Sequence, residues 1–170
     1  WEDVLAMLPV LQKKNLNFGL PLPMSTTSTG IGLPMFTTLL YQYGGKLYSE
    51  DGSKSMLDSI ESSKAFNFWT AFYSDYSLPD SYNFITRFRA GSIPIGIADY
   101  GTYNQLSVFA PELDGIWNFA EIPGFQKEDG SIDRTVASTV TACVIMNSTK
   151  DIDSSWEFLK WWTSTDVQVQ

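Results

Sequence analysis

The chain contains no histidine. Ser-His-Asp and Cys-His catalysis are therefore excluded, as is every metal site that needs an imidazole. Cysteine occurs once, as Cys143, inside the apolar run Ala142-Cys143-Val144-Ile145-Met146. That setting reads as a small buried hydrophobe and leaves the redox compartment open. Positive charge is scarce: 11 Lys and Arg stand against 19 Asp and Glu, for a net charge of −8. This argues against nucleic acid as a partner, because phosphates must be met by clustered cations. Electrostatic binding to anionic lipid is disfavoured for the same reason. No apolar run approaches the roughly 18 residues of a membrane span. No leader-like segment opens the chain either.

What is present is a globular composition. Hydrophobic residues make up 44% and charged residues 18% of 170 residues, enough for one domain with a core. Aromatic content is 15%, with six Trp, eight Tyr and eleven Phe, and most of these rings are expected inside. The chain begins at Trp1-Glu2-Asp3-Val4, already in a helical pattern, and ends at Asp166-Val167-Gln168-Val169-Gln170 within another. These ends read as those of a fragment, with any targeting segment lying outside it.

Helical spacing of Trp1, Val4, Leu5, Leu8 and Leu11 predicts a helix over 1–14, with a kink or early end at Pro9. A short strand over 17–22 follows. The hydroxyl-rich stretch Pro23-Met24-Ser25-Thr26-Thr27-Ser28-Thr29-Gly30 reads either as a solvated linker or as a donor-rich ligand loop. A helix over 33–43 is stopped by Gly44-Gly45. Residues 46–57 form a hairpin with an Asp51-Gly52 turn, which lacks the spaced oxygen ligands of a calcium loop. Ser59 caps a helix running to Tyr76, with Phe66, Trp69, Phe72, Tyr73 and Tyr76 as an aromatic core stripe. Asp80 or Ser81 caps a further helix to Ala90, where Phe84 and Phe88 pair one turn apart. Strands are predicted over 115–122 and 136–146, and a polar excursion over 126–134 turns at Asp129-Gly130. Asp151 or Asp153 opens a last helix with Trp156, Leu159 and Trp162 on one face. Alternation of helices and strands gives an α/β class.

The most informative stretch is Ser92-Ile93-Pro94-Ile95-Gly96-Ile97-Ala98-Asp99-Tyr100-Gly101-Thr102-Tyr103. Isoleucine alternating with small residues predicts a buried strand, and Asp-Tyr-Gly-Thr-Tyr marks its end as a ligand edge. Rings pack on the C–H face of a sugar-like molecule, and short polar groups partner its hydroxyls. Asp99 reads either as a hydroxyl acceptor or as the N-cap of the helix predicted over 102–109. Tyr103 reads either as a ligand ring or as a packing residue.

Four phrases, in order, carry a family likeness: Tyr43-Gly44-Gly45-Lys46-Leu47; Ser59-Ile60-Glu61-Ser62-Ser63-Lys64-Ala65-Phe66 with Ser77-Leu78-Pro79 after it; Phe88-Arg89-Ala90-Gly91-Ser92-Ile93-Pro94-Ile95-Gly96-Ile97; and Ser148-Thr149-Lys150 followed by Trp156-Glu157-Phe158-Leu159-Lys160-Trp161-Trp162-Thr163-Ser164. Together they resemble the family 1 extracellular solute-binding proteins of ABC transporters, which include maltose- and other sugar-binding proteins. The resemblance implies an α/β, type II periplasmic-binding-protein-like lobe, truncated, with a mixed sheet flanked by helices. Residues 1–138 would be most of the second lobe. Residues 139–170 would be the hinge-crossing strand and a helix of the first lobe.

By the same resemblance, ligand contacts fall at Met24, Ser25, Thr26, Thr27 and Ser28, at Asp99, Tyr100 and Tyr103, and at Ser138 and Thr139. Relatives often carry Gly-Pro-Trp at the second place, where this chain has Asp99-Tyr100-Gly101. The implied protein is not an enzyme and holds no cofactor or metal. It captures a sugar or oligosaccharide by hinge closure and delivers it to the membrane subunits of an ABC permease. Its location would be extracellular, as a cell-surface lipoprotein or in the periplasm of a bacterium. The C-terminal helix is expected to fold back on its own lobe or to domain-swap onto a second copy, because Trp156, Leu159 and Trp162 need burial. The alternatives are a glycoside hydrolase or other carbohydrate-active enzyme domain, with Asp75, Asp80, Asp99 and Glu121 as unpaired candidate carboxylates, and a non-catalytic interaction domain.

Overall fold

Trp1, Val4, Leu8 and Leu11 lie on one face of α1 (Glu2–Gln12), and all four are buried. The structure is a computed structural model that describes residues 1–20, 35–138 and 142–169. Pro9 does not end α1. It sits on the exposed side, so the hydrogen bond it forgoes lies toward water, and the helix continues to Gln12. The stop comes at Asn15, whose φ of 56° is left-handed. Leu16 N–H then reaches back to Leu11 O at 3.0 Å, and Asn15 N–H to Gln12 O at 3.0 Å.

The described residues form two units, Trp1–Ser138 and Thr139–Gln170. In the first, α1 leads to β1 (Phe18–Gly19), then α2 (Met35–Gln42) and α3 (Ile60–Ser74). The fully buried side chains Leu8, Leu20, Met35, Leu39, Leu40 and Phe72 make the centre of its core. Phe68 stands edge-on to Phe72 at 5.3 Å and to Phe125 at 5.0 Å. Ser59 caps α3 as expected, its side chain accepting from Ser62 N–H at 3.1 Å. Gly44, at φ 77°, ends α2. Gly45 N–H then bonds Leu40 O at 2.8 Å, as a left-handed stop requires.

The hairpin over 46–57 is present, reduced to a single bridge between Tyr48 and Ser55. Asp51 is occupied there by Ser49 and Ser53, which hold its carboxyl down at about 2. Beyond α3, α4 (Phe84–Arg89) is capped by Asn83, not by Asp80 or Ser81: Asn83 Oδ1 accepts from Thr86 N–H at 2.9 Å. Asn83 is the residue three before that orphan amide, and Asp80 and Ser81 lie too early in the chain to reach it.

β2 (Ile95–Gly96) pairs in parallel with β1, in the register Phe18 with Ile95 and Gly19 with Gly96. Next come α5 (Gly101–Phe109), a 3₁₀ turn at Pro111–Leu113, and the antiparallel hairpin of β3 (Phe125–Gln126) and β4 (Ile132–Asp133). The chain is therefore α/β in content, but among the described residues the two strand pairs stay separate and no mixed sheet forms. Both predicted strands at 115–122 and 136–146 are absent from the described residues. A strand needs a ladder partner for its backbone groups. Ile116 N–H instead turns back to Leu113 O, and Ala137 N–H goes to the Thr38 hydroxyl at 3.1 Å. Residue 141, within the second predicted strand, lies outside the described residues, as do 139 and 140.

Gln42 ties this unit together. It accepts the Trp1 indole N–H at 2.7 Å and donates to Pro123 O and Thr135 O, both at 3.1 Å. One buried amide thus fastens α1 and α2 to both ends of the hairpin.

In the second unit, Asp151 caps α6 (Ile152–Trp162), accepting from Ser154 N–H at 2.9 Å, and α7 (Thr165–Gln168) follows. The expected burial of its rings is not met: Trp156 is 55% and Trp162 45% exposed. Phe158 and Trp161 are exposed too, and with Trp162 they form one ring cluster on α6. Cys143 is also exposed, because the strand expected to bury it does not form. No described helix is long and apolar enough to cross a membrane.

Candidate functional site

The parallel pair sets where the chain leaves the core. Ile97 N–H bonds Gly19 O at 2.7 Å, the last bond of this pair among the described residues. Ile93 is buried, but Ile95 is 43% exposed, so this strand is covered on one side and is not the fully buried element expected. Asp99 then starts α5. Its Oδ1 accepts from Thr102 N–H at 3.0 Å and from Thr102 Oγ1 at 3.2 Å. Of the two readings of Asp99, the capping role is present, with Oδ1 occupied. Leu106 and Ala110, both buried, anchor α5 to the unit.

Tyr100 and Tyr103 lie one turn apart and point the same way. Their rings are 6.1 Å apart and nearly parallel, at 19°. Tyr100 is 74% and Tyr103 42% exposed. Two rings from the segment after the 3₁₀ turn join them. Phe119 meets Tyr100 at 6.2 Å and Tyr103 at 5.8 Å, and Trp117 meets Tyr103 at 5.7 Å. Trp117 in turn stands edge-on to Phe88 at 6.2 Å, and Phe88 stacks on Phe84 at 5.5 Å. Phe84 lies over Gly19 and Gly96. A continuous file of rings therefore runs from the parallel pair out to an open aromatic corner. Large rings left in water cost free energy unless something covers them, which marks such a corner as a contact surface.

Sequence reasoning missed Trp117 and Phe119. It assigned 115–122 to a strand interior, where rings would be core. A signal was available: residues two apart in an extended segment share a face. The helical tyrosines and these two rings then converge.

The remaining candidates are placed as follows. Met24, Ser25, Thr26, Thr27, Ser28 and Thr139 lie outside the described residues. Leu20, the last described residue before the first five, accepts from the Tyr73 hydroxyl at 3.2 Å. Burial pushes that phenol up to about 12. Ser138 is exposed and follows Ala137, which is held to α2 by Thr38. The structure therefore brings Asp99, Tyr100 and Tyr103 together and holds Ser138 beside a different helix. A depression of about 400 Å³ lies between α4 and α5, lined by Asn83, Ile85, Thr86, Arg89, Gln105 and Phe109.

Two more of the carboxylates raised for hydrolysis are engaged elsewhere. Asp75 accepts from Ser74 Oγ at 2.7 Å, and Glu121 pairs with Arg134 at 3.4 Å. Glycoside hydrolysis needs two carboxyls facing one bond, and these sit on separate elements in separate contacts. Among the described residues no group of Asp, Glu and Cys could hold a metal ion.

No family model matches the chain, and no curated protein matches it. Its structure is similar to a crystal structure of an ABC transporter solute-binding protein from Thermotoga lettingae TMO bound with alpha-D-tagatose. The TM-score is 0.71 at 23% sequence identity. The likeness covers 99% of this chain and 43% of that one, so the chain spans less than half the length of the protein it matches. At this identity the likeness establishes the fold.

Proposed function

We propose that the chain is part of the substrate-binding component of an ABC importer and that it takes a sugar or oligosaccharide at the α5 corner. One observation carries the reading. Tyr100, Tyr103, Trp117 and Phe119 meet as an open ring surface at the end of a strand, beside a carboxylate and short polar side chains. A sugar offers such a surface a C–H face and hydroxyls that need both donors and acceptors. The sugar bound by the structurally similar protein supports the same class of ligand.

In this reading residues 1–138 are the second lobe of a type II periplasmic-binding-protein-like protein. Residues 139–170 cross the hinge and return to the first lobe. Met24–Ser28, Ser138 and Thr139 complete the ligand contacts. Ligand bridges the two lobes and shifts the population toward a closed form, which the permease recognises. Capture occurs outside the membrane, in a periplasm or on a cell surface where a lipid anchor holds the protein. The chain is not an enzyme: it grips the solute without altering it.

Saturation-transfer NMR of the chain with mono- and oligosaccharides tests this. The expected result is weak binding, with ring C–H protons receiving most saturation and with the signal abolished by joint Tyr100→Ala and Phe119→Ala replacement. Unchanged saturation in that variant overturns the site. Micromolar calorimetric affinity for the chain alone overturns the two-lobe reading.

A further inference from the structure

We infer that the α5 corner sorts its ligands by charge, taking an ammonium-bearing sugar ring ahead of a neutral one and turning away a carboxylate-bearing one; the inference rests on the reading that this corner binds a solute. From Ala90 to Ala120 the chain carries Asp99, Glu112 and Asp114 and neither Lys nor Arg. An anionic ligand seated on Tyr100, Tyr103, Trp117 and Phe119 would therefore find no countercharge on the elements that supply the rings. Both arginines of the neighbouring α4 are held in place by partners, Arg89 by a carboxylate. Arg87 Nε donates to Ser92 Oγ at 2.7 Å, and Arg89 pairs with Glu112.

One feature of the corner attracts anions, and it is filled. The amino-terminal N–H groups of α5 carry the positive end of the helix dipole. Asp99 Oδ1 already accepts the Thr102 N–H, so the carboxylate occupies that field. Asp99 Oδ2 makes no hydrogen bond among the described residues and is open to a donor. An ammonium group gains twice here: from the negative faces of the exposed rings, and from the carboxylate beside them. A neutral hydroxyl gains only the hydrogen bond. A carboxylate meets repulsion from Asp99 and from the ring faces.

Three probes of one ring shape separate these terms: D-glucosamine, D-glucose and D-glucuronate, titrated at low salt at a pH where amine and carboxyl are both ionised. Ligand-observed NMR on the whole chain is expected to rank glucosamine about threefold tighter than glucose, the gain of one exposed cation–π contact. Glucuronate is expected to bind weakest. Raising the salt compresses the spread. Asp99→Asn keeps an N-capping oxygen, so circular dichroism stays unchanged, and it removes the charge. In that variant the spread among the three narrows to what the ring faces alone contribute. Glucuronate binding as tightly as glucose, or a spread untouched by Asp99→Asn, overturns the inference and leaves the sugar-binding reading standing. Absence of saturation transfer to all three probes and to every oligosaccharide overturns both.

Discussion

A Cβ built on Gly96 would stand 2.6 Å from Cε2 of Phe84 and 2.9 Å from Gly19 O. Glycine at this position lets the ring lie flat over the parallel pair, and that ring begins the file reaching Tyr103. Gly96→Ala is therefore expected to overpack, costing about 1–3 kcal/mol. Chemical denaturation measures the cost. The near-ultraviolet circular dichroism of the aromatic corner should shift in the same variant, because Phe84 must move. An alanine variant as stable as the parent would contradict the packing.

Gln42→Met preserves the volume of the side chain and removes its three hydrogen bonds. The Trp1 indole N–H and the carbonyls of Pro123 and Thr135 lose their partner together. Each buried orphan costs roughly 1–3 kcal/mol, less whatever water recovers at the half-buried carbonyls. A drop in the urea midpoint with unchanged slope is expected, and an unchanged midpoint would refute the hub.

Asp133 gives the β3–β4 hairpin an acid-sensitive clasp. The Thr135 hydroxyl and N–H, then Lys127 at 3.0 Å, hold its carboxyl down at about 2. A folded value below the unfolded one near 4 means the contribution is complete above about pH 4 and fades as pH falls toward 2. Protonating it releases both partners. Asp133→Asn should flatten the acid limb of the stability profile within that window, and an unaltered limb would exclude the clasp.

The rings around α6 predict self-association. Trp156, Phe158, Trp161 and Trp162 each leave about half their surface in water, and covering such surface is worth roughly 25 cal/mol per Å². Light scattering over a concentration series is expected to show mass rising with concentration, and Trp156→Ser with Trp162→Ser to suppress the rise. A strict monomer at high concentration rules out domain exchange through this helix.

Helix positions were legible because their signals are local. Ser59, Asp151 and Gly44 each act within one turn of chain, and the structure uses all three as the sequence indicates. Pro9 does not end its helix, because the face it occupies matters more than its presence. Strands were less legible. Val, Thr and Ile over 136–146 state a preference for extended backbone, but a strand also needs a partner, and periodicity carries no information about one. At the corner, Tyr100 and Tyr103 were readable from their place after an apolar run. Trp117 and Phe119 join them only through the third dimension.

The pairing of Phe18 with Ile95 has a kinetic consequence. Among the described residues three helices intervene between the two strands, so the loop that brings them together must close before either gains this backbone partner. Closing so long a loop is entropically uphill and slow. The tyrosine corner hangs from the far end of that pairing, which places its assembly among the last events as the chain acquires its native form.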